Sequence, residues 1–352
     1  MKRLRRLLVG SLLGLVLFSG GYWFLTVMVP ESPFLDERLE AAVREELGVR
    51  GRYIPVSELE ALTELDASER GIESLEGIEG LPNLRVLNLG GNRVDDLRPL
   101  TQLDRLASLD LRDNYIADLE AVHLERLAVL SELSELSLRN NRESAHPEEP
   151  DNIARISDIS AIAALTGLER LDLRNNHVED LAPLAELEAL RYLDLRGNRL
   201  TEDAVEVLEP LRRLEHLNLR DNDLRDISAL ASLERLVYLN LHSNTRIESI
   251  APLGGLPRLG TLVAQGVPIG DDAGILRELI NLERLNVRET ELRDLSVLAE
   301  LMEQGALQDH PEENVFAEVD IRENPIGSAE EYEALEPYWE NIAVRHPEEL
   351  PE

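Results

Sequence analysis

The feature that most constrains this chain is its own periodicity. Leu62, Leu65, Ala67, Ile72, Leu75, Ile78 and Leu81 set a spacing that Leu84, Leu87, Leu89, Asn92, Val94, Leu97, Leu100 and Leu103 repeat 22 residues later. Further copies begin at Leu106, Leu133, Leu168, Leu190, Leu214, Leu236, Leu259, Leu282 and Phe316, which makes eleven. A unit this short cannot bury an apolar face alone, so the copies must stack, each touching only its neighbours. Within a unit the fourth and sixth positions alternate as in a strand and point inward, while the third, fifth and seventh point out. At about 4.8 Å per strand, eleven copies give a parallel sheet roughly 50 Å long. The ninth position is Asn in Asn92, Asn114, Asn141, Asn176, Asn198, Asn222, Asn244 and Asn324, where an amide can bond the backbone of adjacent turns. Asp96, Asp118, Asp158, Asp180, Asp226 and Asp294 each precede an LxxL-like segment, as caps of short helices on the outer side.

The pattern LxxLxLxxNxΦxxLxxLxxL, with Φ aliphatic, is that of a leucine-rich-repeat solenoid of the 22-residue class. It resembles the bacterial internalin-like surface proteins and the leucine-rich-repeat regulatory subunit of type 1 protein phosphatase. The resemblance covers residues 59–326, about three quarters of the chain. It implies an α/β solenoid, a right-handed superhelix of about 11 turns with a parallel concave sheet and short convex helices or 3-10 turns. It says little about the individual partner.

An open-ended core needs caps. Over residues 31–58, Leu35, Leu39, Val43 and Leu47 keep a four-residue spacing between Ser32-Pro33 and Gly48, which predicts a helix. Ser57 and Glu60 are spaced as a capping box just before the first repeat. Residues 327–352 gather Tyr332, Leu335, Tyr338 and Trp339 ahead of an acidic end, and read as the second cap. Insertions fall within 119–132, 143–155 and 303–314, the first as a longer convex helix. His-Pro-Glu-Glu occurs at His146–Glu149, His310–Glu313 and His346–Glu349. The first two lie about six turns apart, roughly 30 Å, so they cannot share one metal and read as exposed loops.

The first 30 residues differ in kind. Lys2, Arg3, Arg5 and Arg6 precede Leu7–Val29, which has no charge over 23 residues, and Glu31, Asp36 and Glu37 follow. At about 1.5 Å per residue the segment reaches roughly 34 Å, enough for a ~30 Å hydrocarbon core. The positive-inside rule then predicts a single-pass protein of the cell membrane, with its N-terminus cytoplasmic and its solenoid extracytoplasmic in the cell envelope. Ser19-Gly20-Gly21 offers the alternative of a cleaved signal and a secreted chain.

Composition narrows the chemistry. The 69 acidic side chains exceed the 36 basic ones by 33, which disfavours nucleic acid, whose phosphates need an excess of cations. The absence of Cys removes disulfides, thiolate metal sites and cysteine nucleophiles. There is no glycine-rich phosphate loop, HExxH or GxSxG, and the seven His are scattered. No catalytic residue, metal ligand or cofactor site is assigned.

That leaves binding, and the concave sheet is its expected place. Position five runs through Asp66, Asn88, Asp110, Ser137, Asp172, Asp194, Asn218, Asn240, Val263, Asn286 and Asp320. Position seven holds Arg112, Arg139, Arg174, Arg196 and Arg220 on successive turns, then His242. A ladder of surface ion pairs between these rows, each worth about 0–1 kcal/mol, would account for the arginines. Position three holds Arg170, Tyr192, His216 and Tyr238, the one aromatic run on that row. Tyr flanked by Arg is the composition enriched at binding hot spots. The expected partner-binding set is therefore Arg170, Tyr192, His216, Tyr238, Arg174, Arg196, Arg220 and His242. The expectation is a monomeric, non-catalytic, membrane-anchored bacterial protein holding a protein, or a glycan, on its concave face. An intracellular scaffold for an enzyme such as a phosphatase, and a ligand-free envelope spacer, are the alternatives.

Overall fold

The structure is a computed structural model that describes residues 32–51, 53–116, 130–139, 155–201, 204–309, 317–326 and 332–341. Eleven three-residue strands form one parallel sheet whose spatial order is the chain order, from β1 (Glu64–Asp66) to β11 (Glu318–Asp320). Between them lie β2 (Val86–Asn88), β3 (Ser108–Asp110), β4 (Glu135–Ser137), β5 (Arg170–Asp172), β6 (Tyr192–Asp194), β7 (His216–Asn218), β8 (Tyr238–Asn240), β9 (Thr261–Val263) and β10 (Arg284–Asn286). Each strand covers positions three to five of one repeat, and the pairing stays in register throughout, so position three always meets position three. The solenoid expected from the periodicity is thus the observed fold.

The core is a column of aliphatic side chains. Position four is buried in every strand, from Leu65 through Leu171, Leu193, Leu217 and Leu239 to Val319. The outer side returns through short 3-10 turns such as Ala182–Leu184 and Ser228–Ser232. The Asp residues expected as caps sit just before these turns and accept the N–H two residues on: Asp96 from Arg98, Asp158 from Ser160, Asp180 from Ala182, Asp226 from Ser228 and Asp294 from Ser296. Asp118 lies outside the described residues. The last outer segment is a true α-helix, α3 (Ser296–Glu303), which buries Val297, Leu298, Leu301 and Met302. Between the strands and the outer turns, the Asn row stitches one repeat to the next. The Asn244 amide, fully buried, donates to the carbonyls of Leu219 and Leu241 at 3.0 and 2.9 Å, and its oxygen accepts from the Leu224 N–H at 3.2 Å. Asn92 spans the first two turns in the same way. Asn141 lies outside the described residues.

The N-terminal end is closed by α1 (Glu37–Glu46) and α2 (Val56–Ala61). Leu39 and Val43 are buried as their spacing predicts, whereas Leu35 is exposed and lies before the helix. Asp36 caps α1 through Arg38 N–H at 2.8 Å and with its other oxygen accepts from Glu73 N–H at 2.8 Å, tying the cap to the first repeat. Gly77 permits a second seam. Its φ is +102°, and a Cβ there would fall 2.3 Å from the Pro33 carbonyl oxygen. The capping box does not form: α2 starts at Val56, so Ser57 lies inside the helix and Pro55 is its N-cap. At the other end Leu335 is buried, with Tyr332 and Tyr338 packed against the core. The helix expected within 119–132 and the three His-Pro-Glu-Glu segments fall, wholly or in large part, outside the described residues.

The expectation of a single-pass membrane protein, with the cell-membrane location and membrane partner that follow from it, is corrected. Among the described residues no helix is long and apolar enough to cross a membrane. The longest, α1, has ten residues. That is about 15 Å against a hydrocarbon core of about 30 Å. Leu7–Val29, to which the sequence assigns the anchor, lies outside the described residues.

Candidate partner-binding face

The in-register sheet sets position-three side chains side by side, and on β5 to β8 they stack. The Tyr192 and His216 rings lie 4.3 Å apart and 14° from parallel, and His216 and Tyr238 4.1 Å apart and 3° from parallel. The Arg170 guanidinium carbon lies 4.1 Å from the Tyr192 ring centroid on the other side. In-register strands about 4.8 Å apart hold neighbouring flat groups within stacking range, and a slight lean of the rings closes the remaining gap. The outcome is a continuous column of Arg170, Tyr192, His216 and Tyr238, with the ring edges reaching solvent.

Beneath the column, position five does not point freely outward. Asp172, Asp194, Asn218 and Asn240 turn over, and each accepts the N–H of position seven in its own repeat: Arg174, Arg196, Arg220 and His242, at 3.0 to 3.1 Å. These side chains therefore hold the bend at the end of each strand, and Asp194 is only 2% exposed. Burial pushes the Asp194 carboxyl up, against the hydrogen bond from Arg196 N–H and the Arg174 charge. Asn218 Nδ2 also donates to Asp194 at 3.1 Å. The same burial, helped by Asp194, raises Tyr192. In His216, burial between two rings, with Arg170 and Arg174 nearby, lowers the imidazole pKa to about 4, so the ring is neutral at pH 7. Burial also lowers His242, with Arg220 as the next cause.

The position-seven arginines that follow β5, β6 and β7 are paired rather than loose. Arg174 meets Asp172 at 2.5 Å and Asp194 at 3.5 Å. Arg196 and Arg220 converge on Asp221, at 3.3 and 3.1 Å. Asp221 stands outside the rows picked from the sequence. It occupies position eight, where the backbone is left-handed in every described repeat: Glu69, Gly91, Asp113, Asn175, Gly197, Asp221, Ser243, Gly266, Glu289 and Glu323 all have positive φ. The recurrence of Gly, Asn and Asp there was the available signal. All eight side chains expected at the site lie on β5–β8 or the bends that follow them, and the structure brings them onto one stripe. Beside it, between β3 and β6, is a groove of about 260 Å³ whose lining includes Ser108, Glu135, Ser137, Arg170 and Tyr192. Among the described residues, no group of three or more His, Asp or Glu is arranged to hold a metal ion.

A leucine-rich-repeat family model matches residues 188–245, across the aromatic column, and a model of two leucine-rich repeats matches residues 60–102. The chain is a leucine-rich-repeat protein. Its solenoid resembles those of the internalins: an internalin (inlF) from Listeria monocytogenes superimposes with a TM-score of 0.67 at 29% identity, over 88% of this chain and 89% of that one. An internalin C2 (inlC2) from the same organism gives a TM-score of 0.58 at 28% identity, over 66% of this chain and 94% of the other. Among curated proteins, the geranylgeranyl transferase type-2 subunit alpha of Sus scrofa is 37% identical over 86 residues, 23% of this chain. The match spans only 15% of that subunit and brings no activity with it.

Proposed function

We propose that the chain is a non-catalytic binding module that holds a protein partner against its concave face, centred on the Arg170–Tyr192–His216–Tyr238 column. The column itself carries the proposal. Four side chains from four successive strands are already locked together, so a partner gains rigid contact area with little further ordering cost. Tyr and Arg are the residues that most often dominate interface energies. Counting Asp221, which Arg196 and Arg220 share, the stripe on β5 to β8 carries four arginines against three aspartates, a small positive excess within a chain whose net charge is −33. A partner with an acidic patch is therefore steered to this stripe and repelled elsewhere.

The stack also favours protein over glycan or nucleobase. Both faces of Tyr192 and of His216 are covered by neighbours in the column. Within the column, the outer face of Tyr238 is the ring face that no other member of the column covers. What remains is edges, hydroxyls and guanidinium groups, which suit side chains of a protein surface better than ligands that need an open ring face. The test is capture of a partner by the wild-type chain, followed by affinity measurement with Tyr192→Ala/Tyr238→Ala. The double variant should stay folded, with a melting temperature lowered by the loss of two ring contacts, and bind about 2 kcal/mol more weakly. A folded variant with unchanged affinity would place the interface elsewhere.

A further inference from the structure

The column stops at Arg170, and the groove begins there. Ser108, Glu135, Arg170 and Tyr192 are consecutive members of the position-three row, paired across β3, β4, β5 and β6. Arg170 lies between Glu135 and Tyr192 in that row. One face of its guanidinium covers Tyr192, and the other turns toward β4, where Glu135 is a loose partner at 3.9 Å and the Arg170 side chain is 53% exposed. At β3 the row carries only the Ser108 hydroxyl, which donates to Glu135 at 3.1 Å. The groove of about 260 Å³ is thus the place where the next ring of the column would stand. It is smaller than the roughly 300–1,000 Å³ of pockets that take whole small molecules, and it fits one side chain.

Its chemistry selects which side chain. Asp110, Glu135 and Asp172 line the groove alongside Arg112, Arg170 and Arg174. The six charges balance, and each carboxylate already has a donor in the chain, so an incoming charge of either sign gives up its water for no net field. Among neutral side chains, an aromatic ring bearing an O–H or N–H uses the groove best: its face stacks on the open side of Arg170, and its donor reaches a carboxylate or serine oxygen.

We infer that the groove between β3 and β6 receives a Tyr or Trp side chain of the protein partner, which stacks on Arg170 and extends the column by one ring. This rests on the concave-face reading above and names the contact at one end of it. The test is saturation-transfer NMR on the full chain with N-acetyltyrosinamide and N-acetyltryptophanamide as probes, against N-acetylleucinamide. Transfer to the aromatic probes should exceed that to the leucine probe and fall about threefold in Arg170→Gln, the size of an exposed cation–π contact. Ser108→Phe, which fills the groove from the chain itself, should abolish it while leaving the melting temperature unchanged. Equal transfer to all three probes, or transfer that survives both substitutions, would overturn the inference. Partner capture that responds to Tyr192→Ala/Tyr238→Ala while no aromatic probe binds would defeat the groove alone. Aromatic-probe binding beside capture indifferent to that double variant would defeat the concave-face reading alone.

Discussion

The His216 ring lies 4.1 Å from Tyr238 and within 3° of its plane, so an ionisable group forms the middle of an otherwise unbroken stack. Its pKa of about 4 is set first by burial and then by Arg170 and Arg174. The neutral ring is thus the one that the folded column accepts.

This fixes a pH response. Above pH 6.5 the imidazole is neutral folded and unfolded, and contributes nothing to pH dependence. Between pH 6.5 and about 4 the unfolded chain takes the proton first, so stability falls as pH falls, and below about 4 the loss is complete. The full shift corresponds to about 3 kcal/mol, which solvent at the exposed ring edge screens to roughly 1–2 kcal/mol. Asp194, raised by burial, works in the opposite direction but is common to wild type and variant. His216→Phe should therefore gain roughly 1–2 kcal/mol relative to wild type between pH 7 and pH 4, measured by urea denaturation. A difference independent of pH would show that His216 does not titrate with folding.

Asn244→Ala should cost about 2–3 kcal/mol, because it leaves the buried Leu224 N–H without its acceptor and takes one of two donors from each of the Leu219 and Leu241 carbonyls. Ser232→Ala, which removes an outer hydroxyl bonded to the Glu209 and Ala229 carbonyls, is the contrast and should cost under about 1 kcal/mol. Equal losses in chemical denaturation would mean that the Asn row does not stitch the turns.

Gly77→Ala tests the N-terminal seam. The new methyl meets the Pro33 carbonyl at a left-handed backbone, so the cap must shift. Amide exchange in α1 should accelerate at least tenfold, while exchange in β6 to β8 stays as in the wild type. Uniform acceleration along the solenoid would indicate that the cap and the repeats unfold as one unit.

Net charge gives the salt response. With 69 carboxylates against 36 cations, self-repulsion opposes the folded state at low ionic strength. The melting temperature should rise with NaCl up to a few tenths molar. A flat or falling curve would show that pairs such as Arg174–Asp172 already neutralise the acidic rows.

The fold was legible because a strict spacing of leucines leaves one way to bury them, and the same spacing put Tyr192, His216 and Tyr238 on neighbouring strands. Other features depended on geometry that a consensus does not encode. The inward turn of Asp194 follows from the need of Arg196 N–H for an acceptor at the end of the strand. The sharing of Asp221 by Arg196 and Arg220 follows from the left-handed backbone at position eight. Ser57 and Glu60 had capping-box spacing, but α2 begins at Val56, two residues too early for Ser57 to cap it. The run Leu7–Val29 invited a membrane assignment by its length, its lack of charge and its basic flank, and no described helix supports one.

Because the strands lie in chain order, force applied to the two ends of the solenoid loads its turns in series. Under tension such a body peels from an end, one turn per event, and its strength is that of its weakest link. The Asp36 clamp onto Glu73 and Ser74 is a first link at the N-terminal end. A partner seated across β5 to β8 would act as a strut parallel to four of the turns, so those turns would come apart only after it had let go.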